Sequence, residues 1–254
     1  MIELFLVAFV AQDTTPPERF LRRREAVVGV ATLAATAALS AYDERIAAWT
    51  RQPNVQGDSV RHNRVSLVTK VNEMPLTAAA IATYGIGRLT RSRTIADVGL
   101  HVTESLLATE VVAEIVRAAV GRVRPRASPE NAFAFAPGKG LTRFENRSFP
   151  SLHAAVAFAT AASLAEEVRH HKPAAYRYTA PVLYAAAMVP GLTRLYLDQH
   201  WASDVLAGSV LGAVLGSRVV RYTHGRRTRL DRILLGAAII PINGGLALAY
   251  HSAI

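Results

Sequence analysis

Seven apolar runs of helical length, separated by connections rich in arginine, limit what this chain can fold into. The runs cover residues 26–42, 65–88, 95–117, 152–169, 178–192, 205–217 and 233–254. Strand-like alternation of apolar and polar residues is scarce, so the runs favour helices. We therefore predict an all-α fold, a bundle of about six helices. The stretch "PINGGLALAY" near the C-terminus can instead form a turn and a short strand.

The charges between the runs indicate how the bundle is placed. Charged residues are 19% of the chain, below the share usual in soluble proteins, and several runs come near the 20 apolar residues of a spanning helix. If every run crosses a bilayer, the connections "RFLRRRE", "RLTRSRT", "EEVRHHK" and "RYTHGRRTR" fall on one side, as cytoplasmic loops do. We predict a membrane-spanning bundle of the bacterial inner-membrane type. A soluble bundle is the alternative, because arginines flank soluble helices too.

The remaining bulk features concern domains and partners. Residues 1–25 combine an apolar segment, which is an imperfect candidate signal sequence, with a basic linker, and residues 26–254 form one helical domain. The net charge of +10 favours an anionic partner, but the chain shows neither a basic recognition helix nor an aromatic stacking platform, so nucleic acid ranks last. The absence of cysteine excludes disulfides and thiolate metal sites.

The first cluster of residues suited to binding or catalysis is "RAAVGRVRPR", residues 117–126. Arg117 and Arg124 are seven residues apart, so a helix that continued to Pro125 would carry both on one face. Two such arginines can bind one tetrahedral oxyanion. Taken alone, a basic helix end paired with Glu114 explains the pattern better.

The second cluster, "SFPSLHAA", opens the fourth run. Pro150 suits the first turn of a helix, so the amides of Ser151, Leu152 and His153 would be free to bind an anion. The hydroxyl of Ser151 can donate to an oxyanion, and His153 can transfer a proton. A serine cap before an alanine-rich helix is the alternative interpretation.

The third cluster, "TRLYLDQHWASD", lies between two apolar runs. His200 and Asp204 are four residues apart and are neighbours on a helix face, so the carboxylate can hold the imidazole in one tautomer while its other nitrogen attacks. Arg194 can bind the anion under attack. A His–Asp pair that caps a core helix is the alternative, but charges between apolar segments require a partner or a function.

Together the patterns Arg-x6-Arg-Pro, Pro-Ser-x-His and Thr-Arg-x5-His-x3-Asp, within residues 117–204, resemble the signature of the type 2 phosphatidic acid phosphatase and vanadium haloperoxidase superfamily. The resemblance implies a helical bundle with a phosphate pocket at one end. It implies that His200 attacks phosphorus to give a phosphohistidine, that Asp204 orients His200, and that His153 protonates the leaving group and then activates water. The groups implied to hold the phosphate oxygens are Arg117, Arg124, Arg194, Ser151 and the amide of Leu152.

Three positions depart from the family pattern. Arg117 stands where lysine is usual and keeps a cation that can bind phosphate. Thr193 stands where serine is usual and keeps a hydroxyl. Leu152 replaces a glycine, which keeps the amide but adds a side chain where backbone and ligand approach closely. That side chain must point into the apolar wall or line the pocket mouth. If it lines the mouth, Leu152→Gly would raise activity on bulky substrates.

The predicted function is hydrolysis of a lipid phosphate monoester or diphosphate at the periplasmic face of the membrane, without metal or cofactor. Three alternatives remain: a soluble periplasmic acid phosphatase of the same superfamily, a haloperoxidase with vanadate as cofactor, and a non-catalytic membrane scaffold. The sequence does not select one lipid. We expect residues 126–149, with Lys139, Arg143 and Arg147, to cover the pocket and set this choice.

Overall fold

The computed structural model of the protein describes residues 23–70, 72–225, 237–242 and 245–250. The N-terminal apolar segment, most of the first basic connection and residues 226–236 lie outside the described part. The predictions of a signal sequence and of a basic linker in residues 1–25 therefore remain predictions.

Helices form most of the described chain. In order they are α1 (Arg23–Ser40), α2 (Asp43–Thr50), α3 (Pro53–Gln56), α4 (Ser59–Val68), α5 (Glu73–Leu89), α6 (Arg93–Val120), α7 (Leu152–His171), α8 (Pro173–Tyr196) and α9 (Ala202–Gly225). The six long ones, α1 and α5 to α9, confirm the predicted helical bundle. A long loop with two short 3₁₀ turns, Lys139–Leu141 and Phe144–Asn146, joins α6 to α7.

The last apolar run forms strands rather than a helix. Strand β1 (Ala237–Ile242) pairs antiparallel with β2 (Gly245–Tyr250), with Ile242 opposite Gly245. Proline and two successive glycines within "PINGG" oppose a helix, and isoleucines favour a strand. The described residues of this stretch thus agree with the alternative prediction of a short strand.

The packing of α7 against α9 sets the distance between the second and third clusters of candidate site residues. Gly208, Gly212 and Gly216 follow one face of α9, and a methyl group added at Gly212 would lie 1.9 Å from the carbonyl oxygen of Ala155. Only glycine permits this approach, because the two backbones are in direct contact. At the top of the contact the amide of Ser151 donates to the carbonyl of Asp204 at 3.0 Å.

The antiparallel helices give the bundle two distinct ends. The first, which we call the site end, holds the C-terminus of α6 and the N-termini of α7 and α9. At the other, the basic end, Arg218 of α9 lies 3.7 Å from Glu25 of α1, and Arg221 lies 2.5 Å from Glu166 of α7. Ser151, the residue just before α7, and Glu166, near the C-terminal end of α7, are about 22 Å apart along the helix axis. The described parts of the basic connections thus lie away from the site end, as predicted.

Among the described residues, one helix alone, Ala202–Gly225, is long and apolar enough to cross a membrane by length and composition. The bent pair Glu25–Ser40 and Asp43–Thr50, which meet at 58°, passes the same test if taken together. This is fewer than the runs counted in the sequence, since charged side chains interrupt several of them.

Candidate active site

Three chain segments meet at the site end, and one of them differs from the prediction. Helix α6 ends at Val120, because Gly121 adopts a left-handed conformation (φ 61°) that closes the helix. Arg124 therefore lies in the following loop, and the prediction that Arg117 and Arg124 share a helix face was wrong. The loop nevertheless returns Arg124 to the site, where its guanidinium donates to the carbonyl and side-chain oxygens of Gln199, each at 3.1 Å.

His200 lies in the short connection between α8 and α9 and is buried. Its Nδ1 is 2.7 Å from the carbonyl oxygen of Ser148. A carbonyl can only accept, so Nδ1 carries the proton and the lone pair of Nε2 is free. Burial first, with the positive charges of Arg124 and Arg117, lowers the pKa of His200 to about 4. The ring is therefore neutral and nucleophilic at physiological pH.

Asp204 does not orient His200 in the direct way that the sequence predicted. Its carboxylate lies 3.7 Å from Nδ1 of His200, too far for a hydrogen bond, and the Ser148 carbonyl takes that role. Asp204 instead accepts from the Ser148 hydroxyl at 2.5 Å, from the Trp201 amide at 2.9 Å and from Arg122 at 2.6 Å. It thereby holds Ser148, whose carbonyl contacts His200, and Trp201, which follows His200 in the chain.

Arg122 and Asp43 were missed by the sequence reasoning. Arg122 donates to Asp204 at 2.6 Å and to Asp43 at 2.8 Å, and all three side chains are buried. Asp43 also accepts from the amide of Ser203 at 2.9 Å. The available signals were the second arginine of "RAAVGRVRPR" and an aspartate directly after the first apolar run. This network joins α2, the α6–α7 loop and the start of α9 beside His200.

Arg117 and Arg194 complete the cationic wall. Arg117 donates to the carbonyl of Pro150 at 3.1 Å and pairs with Glu114 at 2.9 Å. Arg194 contacts the ring of His153, with its Nη2 3.1 Å from Nδ1. Burial first, then the charges of neighbouring arginines, Arg117 first among them, lowers the pKa of Arg124 to about 9. The cations crowd together at a cost, which an oxyanion between them would remove.

The N-terminus of α7 supplies neutral donors. Ser151 is the N-cap, with its side-chain oxygen fully buried and without a hydrogen-bond partner among the described residues. Leu152 follows as the first helical residue, and its side chain packs with Val102, Leu106 and Val156 in the core. It therefore points into the apolar wall and does not line the pocket mouth. Its amide, one of the first in the helix, has no acceptor within α7.

The structure thus brings together all eight residues that the sequence selected. The catalytic candidates are His200, His153 and Asp204, and the phosphate-binding candidates are Arg117, Arg124, Ser151, Leu152 and Arg194. The neutral imidazole of His200, the three guanidinium groups and the unpartnered Ser151 hydroxyl are the groups that bind a tetrahedral anion and attack it. Donors of the metal-binding type meet in the described residues at the basic end instead, at His101, Glu167 and His224.

A helical bundle that holds a buried neutral histidine beside a cluster of arginines suits a class of proteins that hydrolyse phosphate esters. The family model of the PAP2 superfamily matches residues 99–228, 130 of the 254 residues. The chain belongs to the PAP2 superfamily.

Individual relatives and a solved structure agree with this assignment. The chain is 31% identical to the lipid A 1-phosphatase of Rhizobium johnstonii over 117 residues, 46% of this chain and 44% of that protein. It is 27% identical to the lipid A 1-phosphatase of Porphyromonas gingivalis over 169 residues, 65% of this chain and 32% of that protein. The matches thus span less than half the length of these curated relatives.

The fold is similar to the crystal structure of the first transmembrane PAP2 type phosphatidylglycerolphosphate phosphatase, from Bacillus subtilis. The TM-score is 0.59 at 21% identity, and the superposition covers 80% of this chain and 97% of that one. The likeness establishes the shared bundle architecture.

Proposed function

We propose that this protein is a phosphatase that removes phosphate from a membrane lipid through a phosphohistidine. One observation carries the proposal: the buried His200 has its Nδ1 committed to the Ser148 carbonyl and its Nε2 free. A ring held in this way, beside three guanidinium groups, has the tautomer and the surroundings that nucleophilic attack on a phosphate requires.

The reaction would proceed in two steps. Burial first, and then the charge of Arg194, lowers the pKa of His153 to about 3, and a bound phosphate dianion would raise it again, so His153 would take up a proton as the substrate binds. In the first step, Nε2 of His200 attacks phosphorus, the bond from phosphorus to the leaving oxygen breaks, and protonated His153 gives its proton to that oxygen. In the second, His153 takes a proton from water, the hydroxide attacks phosphorus, and the phosphorus–nitrogen bond breaks to release phosphate. Arg117, Arg124 and Arg194 would stabilise the charge on the equatorial oxygens in both steps.

Leu152 bears on the alternative of a non-catalytic scaffold. Its side chain is only 6% exposed and packs in the core, so it leaves the anion site open. The Ser151 hydroxyl and the first amides of α7 remain available to a phosphate oxygen. The departure from glycine at this position therefore does not remove any group that the reaction uses, which favours an active enzyme.

A membrane location is supported by the outer faces of the helices. On α6, Leu107, Val111 and Ile115 follow one another at intervals of four residues and are 49%, 59% and 63% exposed. A continuous apolar stripe exposed in this way is suited to lipid. With the arginine-rich basic end in the cytoplasm, the site end would face the periplasm. The same stripe disfavours the soluble periplasmic alternative.

The substrate class would be a phosphate monoester on a lipid head group. The relatives named above are lipid A 1-phosphatases and a phosphatidylglycerolphosphate phosphatase, so both lipids belong in a substrate panel. In the α6–α7 loop Arg147 pairs with Glu114 and Arg126 with Glu145, while Lys139 and Arg143 are exposed. We expect these two exposed cations to influence which head group is accepted.

The test is phosphate release by the purified protein in detergent from lipid A 1-phosphate, phosphatidylglycerol phosphate, phosphatidate and undecaprenyl diphosphate. His200→Asn should lower turnover by roughly 10³-fold or more on any lipid that is hydrolysed. His62→Asn, a histidine on the exposed helix α4, is the matched control and should behave as wild type.

A second measurement separates the two histidines. An aryl phosphate has a leaving group that needs no proton, so His153→Asn should still form the phosphoenzyme but hydrolyse it slowly. Radiolabelled, acid-labile phosphate should accumulate on His153→Asn and be absent from His200→Asn. Normal turnover by His200→Asn would show that this mechanism is wrong, and a wild-type protein inactive on the whole panel would favour the scaffold.

A further inference from the structure

Four histidines and a glutamate gather at the basic end, where the proposed phosphatase reaction uses none of them. His101 comes from α6, Glu167 and His171 from the end of α7, and His224 from the last turn of α9. Glu167 and His101 are almost fully buried, at 2% and 3% exposure. The chain has eight histidines, so half of them lie here once His170 is included. This cluster joins the three central helices of the bundle.

The ring nitrogens of this cluster converge on one carboxylate. Nδ1 of His101 lies 2.5 Å from Oε1 of Glu167, Nε2 of His224 lies 3.1 Å from both of its oxygens, and Nε2 of His171 lies 3.3 Å from Oε2. The donor atoms of His101, Glu167 and His224 all lie within 4.8 Å of one another. Tetrahedral ligands at zinc distances are about 3.4 Å apart, so small side-chain movements suffice to place an ion among them.

Two neighbouring groups support the cluster as a built site. The ring of His170 stacks on that of His224 with centroids 3.7 Å apart, which restricts the orientation of His224. Asp97 lies on α6 one turn before His101, and its buried Oδ1 has no hydrogen-bond partner among the described residues. Such outer groups orient metal-binding histidines and offset the charge of an ion.

We propose that His101, Glu167 and His224, with His171 as the fourth ligand, bind a divalent transition metal ion of the zinc class. Three imidazoles and a carboxylate are the donors that zinc and cobalt(II) accept in tetrahedral sites, whereas magnesium and calcium require mostly oxygen. The ion would link α6, α7 and α9 at the basic end. It lies more than about 20 Å from His200, so its role is to stabilise the bundle and not to take part in phosphoryl transfer.

The experiment uses the full chain, purified in detergent through an affinity tag without histidines. Titration with cobalt(II) should give intense visible absorption bands of tetrahedral coordination, saturating at about one ion per chain. Zinc should displace cobalt and raise the midpoint of thermal unfolding, because an ion that binds only the folded protein stabilises it. Phosphate release should be unchanged by a chelator, which keeps this test separate from that of the proposed function.

The variants are chosen so that folding is preserved. His171→Gln/His224→Gln changes two partly exposed ligands and keeps hydrogen-bonding groups in place, and it should lose the cobalt bands and the zinc-dependent stabilisation. His62→Gln, on α4 at the site end, is the matched control and should retain both. Absence of a saturable band in the wild type, or its survival in the double variant, would overturn the proposal, and Glu167 would then be a carboxylate held only by imidazole hydrogen bonds.

Discussion

Replacing Arg122 by methionine should be among the most damaging single changes at the site end. Methionine keeps much of the length of the side chain but leaves Asp43 and Asp204, which are 0% exposed, without their shared cation. Arg122 donates to them at 2.8 and 2.6 Å. Removing one partner from a buried ion pair costs about 3–5 kcal/mol of unfolding free energy. For a chain of this length that lowers the midpoint of thermal unfolding by roughly 10 °C.

The assay can follow the site directly. The guanidinium of Arg122 lies 5.5 Å from the ring centroid of Trp201, whose indole donates to the Val123 carbonyl at 2.9 Å. Thermal unfolding monitored by tryptophan fluorescence therefore reports on this region. Arg126→Met is the matched control, because its pair with Glu145 has side chains 40% and 43% exposed and is worth at most about 1 kcal/mol.

A double variant tests the cause. In Arg122→Met/Asp43→Asn, one of the two uncompensated carboxylates is neutral, so part of the lost stability should return. If Arg122→Met unfolds within about 1 kcal/mol of Arg126→Met, the network does not hold the site together and the reasoning is refuted. An equal loss in the single and double variants would show that lost packing, not unpaired charge, causes the damage.

Three further predictions follow from the site. Leu152→Ala should cost about 2–5 kcal/mol in thermal unfolding, by opening a cavity, and should not improve phosphate release from bulky lipids; improved release would place this side chain at the pocket mouth. Ser151→Ala should leave the unfolding midpoint nearly unchanged, since its hydroxyl is unpartnered, but lower kcat/KM by about 10²-fold. Because burial lowers the pKa of His200 to about 4, kcat/KM with aryl phosphates should be lost only as pH falls through about 4, when the ring gains a proton. The measurement should use two aryl phosphates whose second pKa values differ, because the acidic limb of the pH profile that belongs to the enzyme does not move with the substrate. An enzyme limb near pH 6.5 would contradict the lowered pKa of His200.

The sequence was sufficient to predict the helical bundle, the family and the residues that meet at its site end. Those predictions depend on local signals: apolar runs, and polar clusters that interrupt them. Gly121 was also a local signal, a typical helix C-cap, and it could have placed Arg124 in a loop. The helix predicted at the C-terminus failed for a similar reason, since "PINGG" carries residues that stop helices.

Other features depend on contacts between distant segments. Asp43 and Arg122 are 79 residues apart, and nothing in either local pattern predicts that they pair. The Ser148 carbonyl, and not Asp204, accepts the hydrogen bond from Nδ1 of His200. This depends on the path of the α6–α7 loop, which the spacing of His200 and Asp204 does not determine. The direction of Leu152 required knowledge of the core, because both of its predicted orientations suit the first turn of a helix.

The glycine contact between α7 and α9 has a consequence for how such a protein can diversify. His153 stands at the start of α7, and His200 just before α9, so the distance between these two histidines is set by two polypeptide backbones in contact. No side chain acts as the spacer. The outward-facing residues of both helices can therefore be substituted to suit bilayers of other thickness or composition, while the distance between the two imidazoles stays the same.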